Sequence, residues 1–158
     1  FKAREYLDEI VNSLKPRLKK TKHQIIINCD DSLVIDSFPG AWSQILTNLI
    51  MNSVIHAFDE DDSGVISVDM ATDKKGVMLC YSDDGKGMPE DLVARVFEPF
   101  FTTKRGAGGS GLGMHILFNL VTAKLGGVVE CTSEVGKGTT FTIATPLPKG
   151  QKDDRNAA

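Results

Sequence analysis

The period of the apolar residues changes repeatedly along this chain, and the order of those changes is the strongest constraint on its fold. Residues 2–14 carry Tyr6-Leu7, Ile10-Val11 and Leu14 on one face of a helix, which Pro16 is expected to stop or kink. Two short strands are expected at 24–28 and 33–36, split by the turn-forming Asp30-Asp31-Ser32. Ser37 reads as a helix N-cap with Pro39 just inside, opening a long helix to about Phe58. Alternation at 65–71 and 76–81 predicts a strand pair, 89–96 a short helix, 112–125 a helix closed by Gly126-Gly127, and 128–133 and 139–147 two final strands. Hairpins alternating with helices exclude the regular βαβ order of a doubly wound sheet. They predict an α+β, two-layer α/β sandwich, with helices on one face of a mixed, mostly antiparallel sheet. The organisation expected is a leading helix over 1–22, a domain over 23–148 and a polar, disordered tail over 149–158.

Bulk properties narrow the function. The chain has 158 residues, enough for one domain with a substantial core, and a formal net charge of −3. Its basic clusters, 15–20 and Lys104-Arg105, are short, so no nucleic-acid footprint is expected. No apolar run approaches the roughly 20 residues that span a bilayer. Cys29, Cys80 and Cys131 form no metal-ligand pair and are read as small buried hydrophobes in a reducing, cytoplasmic compartment.

Three stretches carry chemistry. In Asp83-Asp-Gly85-Lys-Gly87-Met88, an acid ends a strand beside backbone that can take positive φ and admit a flat ligand. A plain Asp-Gly turn is the structural alternative. The second glycine cluster, 106–113, formally contains G-x-G-x-x-G at Gly106, Gly108 and Gly111. Its upstream neighbour is Pro99-Phe100-Phe101-Thr102-Thr103-Lys104 rather than an apolar strand, which argues against a Rossmann turn. Leu112 after Gly111 excludes a P-loop, where Lys-Ser/Thr is required. What remains is either a flexible linker or free N–H groups that hold a phosphate at the start of a helix. On the long helix, Asn48 and Asn52 lie four apart with His56 continuing the row. Asn is a mediocre helix former, so two on one stripe need a reason; an amide oxygen suits Mg²⁺, although a polar or buried amide pair is the alternative.

In order, these pieces resemble the ATP-binding domain of sensor histidine kinases, within the superfamily that includes gyrase, heat-shock chaperones and mismatch-repair ATPases. The N box is Gln44-Ile-Leu-Thr-Asn48-Leu-Ile-Met-Asn52-Ser-Val-Ile-His56 and the first glycine box Asp83-Asp-Gly85-Lys-Gly87. The F box is Phe97-Glu-Pro-Phe100-Phe101, the second glycine box Gly109-Ser-Gly111-Leu-Gly113, and Gly138-Thr139-Thr140-Phe141 closes the set. The resemblance covers about 24–148, and five boxes in register make it specific.

The resemblance implies a Bergerat-type ATP cradle. Asp83 would accept the adenine amine, with Gly85, Gly87 and Met88 lining the base and Thr139 hydrogen-bonding near it. Asn52 would hold Mg²⁺ and Asn48 would help position the triphosphate. Residues 97–111 would form a mobile lid, with Lys104 or Arg105 meeting phosphates and Gly109, Gly111, Leu112 and Gly113 closing over them. Many family members carry Lys just before the position of His56; here it is Ile55, so the phosphate charge falls to His56, Lys104 or Arg105. Hydrolysing members place a Glu base one turn before the magnesium Asn, whereas this chain has Asn48, which cannot accept a proton from water. The resemblance therefore implies a histidine protein kinase rather than an ATP-driven conformational ATPase. It also implies a phosphoacceptor hairpin on a separate segment, a response regulator downstream, and a homodimeric full-length protein, possibly membrane-anchored. His23, His56 and His115 lack an acceptor's context, so no certain catalytic residue is expected in this chain.

Overall fold

The structure, a computed structural model, describes residues 1–19, 21–59, 61–101 and 111–146. Helix α1 spans Ala3–Leu18, strand β1 Gln24–Cys29 and helix α2 Pro39–Asn52; the hairpin strands β2 and β3 span Val65–Thr72 and Gly76–Asp83. A short α3 (Glu90–Val93), α4 (Gly113–Asn119), β4 (Val128–Glu134) and β5 (Gly138–Pro146) follow. Helices α2 and α4 each run into a π-helical turn, over Ser53–Ala57 and Leu120–Lys124.

The five strands form one mixed sheet in the order β1-β2-β3-β5-β4. Strand β1 pairs parallel with β2, and every other pair is antiparallel. A parallel pair cannot be joined by a tight turn, so α2 serves as the crossover between β1 and β2. Alternate residues of the central strands point to one side. Ile66, Val68, Met70, Val77, Leu79, Tyr81, Phe141 and Ile143 are all buried there, against Trp42, Ile45, Leu46, Leu49 and Ile50 of α2 and Leu7, Ile10 and Leu14 of α1. The other face carries Ser67, Asp69, Cys80, Ser82, Thr140 and Thr142, none of them buried. The architecture is the α+β two-layer sandwich expected, with the helices on one face.

Four local expectations are corrected. Helix α1 continues through Pro16 to Leu18. Pro16 and Asn12, whose carbonyl the proline leaves without a helical donor, are both exposed, so the lost bond opens to solvent rather than to the core. Residues 33–36 do not pair with β1: Val34 bridges Lys2, and the backbone bonds of Leu33 and Ile35 go to Ala3 and Phe1. That pairing seats Ile35 in the core at 2% exposure. The residue preceding α2 is Phe38, and Ser37 instead accepts the Trp42 indole N–H at 2.9 Å. The cysteines are half-buried and free: Cys29 and Cys131 pack at the core's margin on the two edge strands, and Cys80 lies on the outer face opposite Asp69 and Thr142. The expected tail over 149–158 lies outside the described residues.

Packing this close leaves no room for a truncated side chain to be replaced. Ile45 is fully buried, so Ile45→Ala is expected to cost about 2–5 kcal/mol, read from the midpoint of urea unfolding at unchanged slope.

Candidate functional site

Tyr81, Asp83 and the turn after them sit where β3 leaves the sheet. Strand alternation turns the Asp83 side chain toward the helical layer and Asp84 away from it. The Asp84 carboxylate accepts the Val65 N–H at 2.8 Å, which fixes that choice. Asp83 is only 7% exposed. A buried carboxylate must find donors, and it finds three. Oδ1 accepts the Gly85 N–H at 3.1 Å and the Thr139 N–H at 3.3 Å, while Oδ2 accepts the Ser53 hydroxyl at 2.7 Å. An ionised carboxylate has about four acceptor positions. Three are filled from within the described protein, and one remains for a donor arriving from outside.

The surrounding backbone is shaped by glycine. Gly85 packs so close to Ala57 that a Cβ would lie 2.5 Å from the Ala57 carbonyl oxygen. The next N–H, of Lys86, donates to that same carbonyl at 2.9 Å, so the first glycine turn is tied to the end of the π-helical turn. Gly138 takes φ +111°, and a Cβ there would run into the Asp83 carbonyl. Both positions need glycine for close approach rather than for flexibility. Met88 joins through its N–H, which donates to Ser133 Oγ at 2.8 Å; Ser133 Oγ in turn lies 2.8 Å from Thr139 Oγ1. Asp83, Gly85, Met88 and Thr139 are therefore brought together by hydrogen bonds, and Gly87, at φ +69°, packs against Glu134 beside them.

The helix row divides. The Asn48 amide is occupied at both ends: Nδ2 donates to the Gly113 carbonyl at 2.9 Å, and Oδ1 accepts from Gln44 Nε2 at 2.7 Å. Asn48 thus fastens the second glycine box to α2. Asn52 is half-buried, and its amide has no hydrogen-bond partner among the described residues. Between Asn52 and His56 the π turn interposes its wider winding, so His56 leaves the 3.6-residue row. Leu112 starts α4, its carbonyl accepting the Ile116 N–H at 2.9 Å. Gly111, at φ +76°, lies against the Phe100 backbone. Phe100 itself takes φ +64°, unusual for a bulky residue. Lys104, Arg105 and Gly109, and most of the expected lid, lie outside the described residues.

Sequence reasoning missed Ser53 and Tyr81. Ser53 is fully buried at the end of the apolar row Trp42, Leu46, Leu49; a hydroxyl on a core-facing stripe is the signal that could have found it. The Tyr81 hydroxyl donates to the Leu49 carbonyl at 3.0 Å and lies 2.7 Å from Ser53 Oγ. Burial pushes the Tyr81 phenol far above its ordinary range, with the Asp83 charge adding to the effect. Burial and the same charge push the Cys131 thiol up to about 12. Neither group is an acid, base or nucleophile near neutral pH.

His23 and His115 are structural in their surroundings. His23 Nδ1 accepts the Gly64 N–H at 3.0 Å, and its ring packs on Phe58. His115 lies between the Phe97 carbonyl and the Asn119 amide, at 3.2 and 3.3 Å. Among the described residues no group of three or more His, Cys, Asp or Glu could hold a metal, and no helix is long and apolar enough to cross a membrane.

Comparison with known proteins agrees with this fold. Residues 39–149 match the family of histidine kinase-, DNA gyrase B- and HSP90-like ATPases. The chain is 37% identical over 131 residues to the sensor histidine kinase ZraS of Escherichia coli K12, covering 82% of this chain and 27% of that protein. It is 34% identical over 116 residues to sporulation kinase A of Bacillus subtilis, covering 73% of this chain and 18% of that one. The chain thus spans about a quarter or less of the length of these relatives. Among solved structures, the nucleotide-free catalytic domain of histidine kinase ThkA superposes with a TM-score of 0.77 at 25% identity, over 92% of this chain and 95% of that one. Full-length ShkA, solved with AMPPNP, gives 0.77 at 30% identity over 92% of this chain and 30% of that one. The chain belongs to the histidine kinase-, DNA gyrase B- and HSP90-like ATPase family, and within it to the ATP-binding catalytic domains of sensor histidine kinases.

Proposed function

We propose that this domain binds Mg²⁺-ATP with its adenine on Asp83 and delivers the γ-phosphoryl group to a histidine on a separate helical hairpin. The observation that carries the reading is the buried Asp83 carboxylate with one acceptor position left. A carboxylate cannot donate, so it suits the exocyclic amine of adenine and repels the carbonyl oxygen that guanine presents there. Gly85, Gly87 and Met88 line the base, and Thr139 hydrogen-bonds near it.

At the phosphate end, Asn52 is the residue suited to Mg²⁺: its amide oxygen is uncommitted among the described residues, and Mg²⁺ characteristically takes one or two protein ligands with phosphate oxygens and water. When bound, the ion would neutralise phosphate charge. Asn48 contributes to positioning the triphosphate through Gly113, whose carbonyl it holds. Gly109, Gly111 and Leu112 close over the phosphates. Their negative charge is met by His56, Lys104 or Arg105.

The acceptor imidazole brings its own lone pair, so the domain needs no base to activate water. The hairpin belongs to the same kinase, which works as a homodimer and passes its phosphoryl group to a response regulator. The domain itself operates in the cytoplasm, without contact to membrane or nucleic acid.

Three outcomes are expected. With Asn48 where a base would stand, the chain alone binds ATP but releases phosphate well below about 1 s⁻¹; turnover at or above that rate in a phosphate-release assay assigns it to the hydrolysing branch. Asn52→Ala removes an oxygen ligand while improving helix propensity, so unfolding stability holds while Mg²⁺-dependent nucleotide affinity falls; an unfolded variant would mark Asn52 as a structural amide. Asp83→Ala removes a hydrogen bond to a charged group, about 1.5–3 kcal/mol, and is expected to weaken ATP about ten- to a hundredfold and erode preference over GTP. Calorimetric titration of both nucleotides measures it, and unchanged ATP affinity places the adenine elsewhere.

A further inference from the structure

Behind Asp83 lies a chain of hydroxyls that the nucleotide contacts do not require. The three groups are all buried: Tyr81 and Ser53 are fully enclosed, and Asp83 is nearly so. Ser53 has one proton, and it goes to Asp83 Oδ2. The 2.7 Å contact between Ser53 Oγ and the Tyr81 hydroxyl can be donated from either side; we assign it to Tyr81, whose proton is shared with the Leu49 carbonyl 3.0 Å away, because this leaves the Ser53 proton whole for the charged acceptor. With that assignment the chain runs from Tyr81 through Ser53 to the carboxylate.

That direction has consequences for a ligand. Oδ1 is held by two backbone N–H groups and Oδ2 by Ser53. A carboxylate gripped at both oxygens cannot rotate about its final bond, so its remaining acceptor position has a fixed place. Tyr81 and Leu49 stay satisfied when the contact between the two hydroxyls is lost. Without Ser53 Oγ, the Tyr81 hydroxyl keeps the Leu49 carbonyl; without the phenol, that carbonyl keeps the Ser53 N–H. Removing the phenol hydroxyl therefore leaves no orphan and costs little stability, whereas removing Ser53 Oγ takes from Asp83 Oδ2 its donor among the described residues and lowers stability as well. Ser53 also follows Asn52 directly and opens the π-helical turn, so one peptide unit links the adenine end of the site to its phosphate end.

We propose that Ser53, oriented by Tyr81, is a specificity-determining residue that aims Asp83 at the 6-amine of an adenine nucleotide. The proposal rests on the adenine reading of Asp83 and adds a positioning residue to it. Ser53 touches the carboxylate and not the nucleotide.

The test compares ATP with purine riboside triphosphate, which has the same ring, sugar and phosphates but no 6-amine. Mg²⁺-dependent binding of both is measured calorimetrically on the parent, S53A, S53C, Y81F, D83A and S53A/D83A, with urea unfolding reporting that each is folded. S53A is expected to weaken ATP by about three- to tenfold, the loss of one hydrogen bond, and to leave the amine-less nucleotide within about twofold. S53C keeps the shape, replaces a strong donor by a weak one, and behaves as S53A. Y81F shows a smaller loss of the same kind, and S53A adds nothing in the D83A background. Equal weakening of both nucleotides by S53A and S53C would mean that Ser53 only supports the fold, and unchanged ATP binding in both would mean that it does not position the carboxylate; either overturns the proposal, and a D83A that loses its preference for ATP then leaves the adenine reading standing. If D83A itself loses no preference for ATP, the adenine reading fails and the proposal falls with it.

Discussion

Everything near the site depends on one buried carboxylate being satisfied. Leaving an ionised group in a low-dielectric interior without donors costs several kcal/mol, so Asp83 draws to itself whatever can donate. Its donors come from three places: the turn that follows β3, the first residues of β5, and the residue that follows α2. Strand, strand and helix are thereby joined at one point, on the same side of the sheet as the apolar core. The requirement that makes Asp83 costly also makes it a rigid reference from which the rest of the cleft is placed.

Rigidity there comes from close backbone approach rather than bulk. Gly85 lies against the Ala57 carbonyl and Gly138 against that of Asp83, so the first glycine turn and the start of β5 press on neighbouring backbone with no side chain between. The π-helical turn supplies the partner. By widening the helix over Ser53–Ala57, it presents the Ala57 carbonyl to the Lys86 N–H while Ser53 faces Asp83. The energetic penalty of an extra residue in a helical turn is offset by two contacts that a regular helix would place elsewhere.

Much of this was legible in the sequence, and the failures have physical causes. Alternation in 65–71 and 76–81 identified β2 and β3, because one buried face leaves a period of two. Asp83 was singled out as an acid ending a strand before Asp-Gly-Lys-Gly, although a plain Asp-Gly turn accounts for that pattern as well, and only the fold shows that its carboxylate is buried. Residues 33–36 have the composition of a strand, but their partners are the chain's first residues, and a pairing 30 or so residues distant leaves no local trace. The π turns were invisible for a similar reason: Val54 and Ile55 fit a regular helix equally well, and only the tertiary bonds of Ser53 and Ala57 decide otherwise. Ser53 was passed over because its neighbour Asn52 drew the functional reading, although a serine on the stripe of Trp42, Leu46 and Leu49 was the stranger residue.

Asn48 shows why the branch of the family to which this domain belongs is written into its packing as well as its chemistry. The hydrolysing relatives require a carboxylate at that place, and a single substitution of Asn48 by Glu would supply one. Yet the Asn48 amide donates to the Gly113 carbonyl, which a carboxylate cannot do. Glutamate there would set an anion against a carbonyl oxygen at the junction of α2 with the second glycine box, and would keep only the bond from Gln44. The fastening of α4 would be lost in creating the base. In this chain the amide holds the second glycine box against α2, and it offers no carboxylate that could serve as a base.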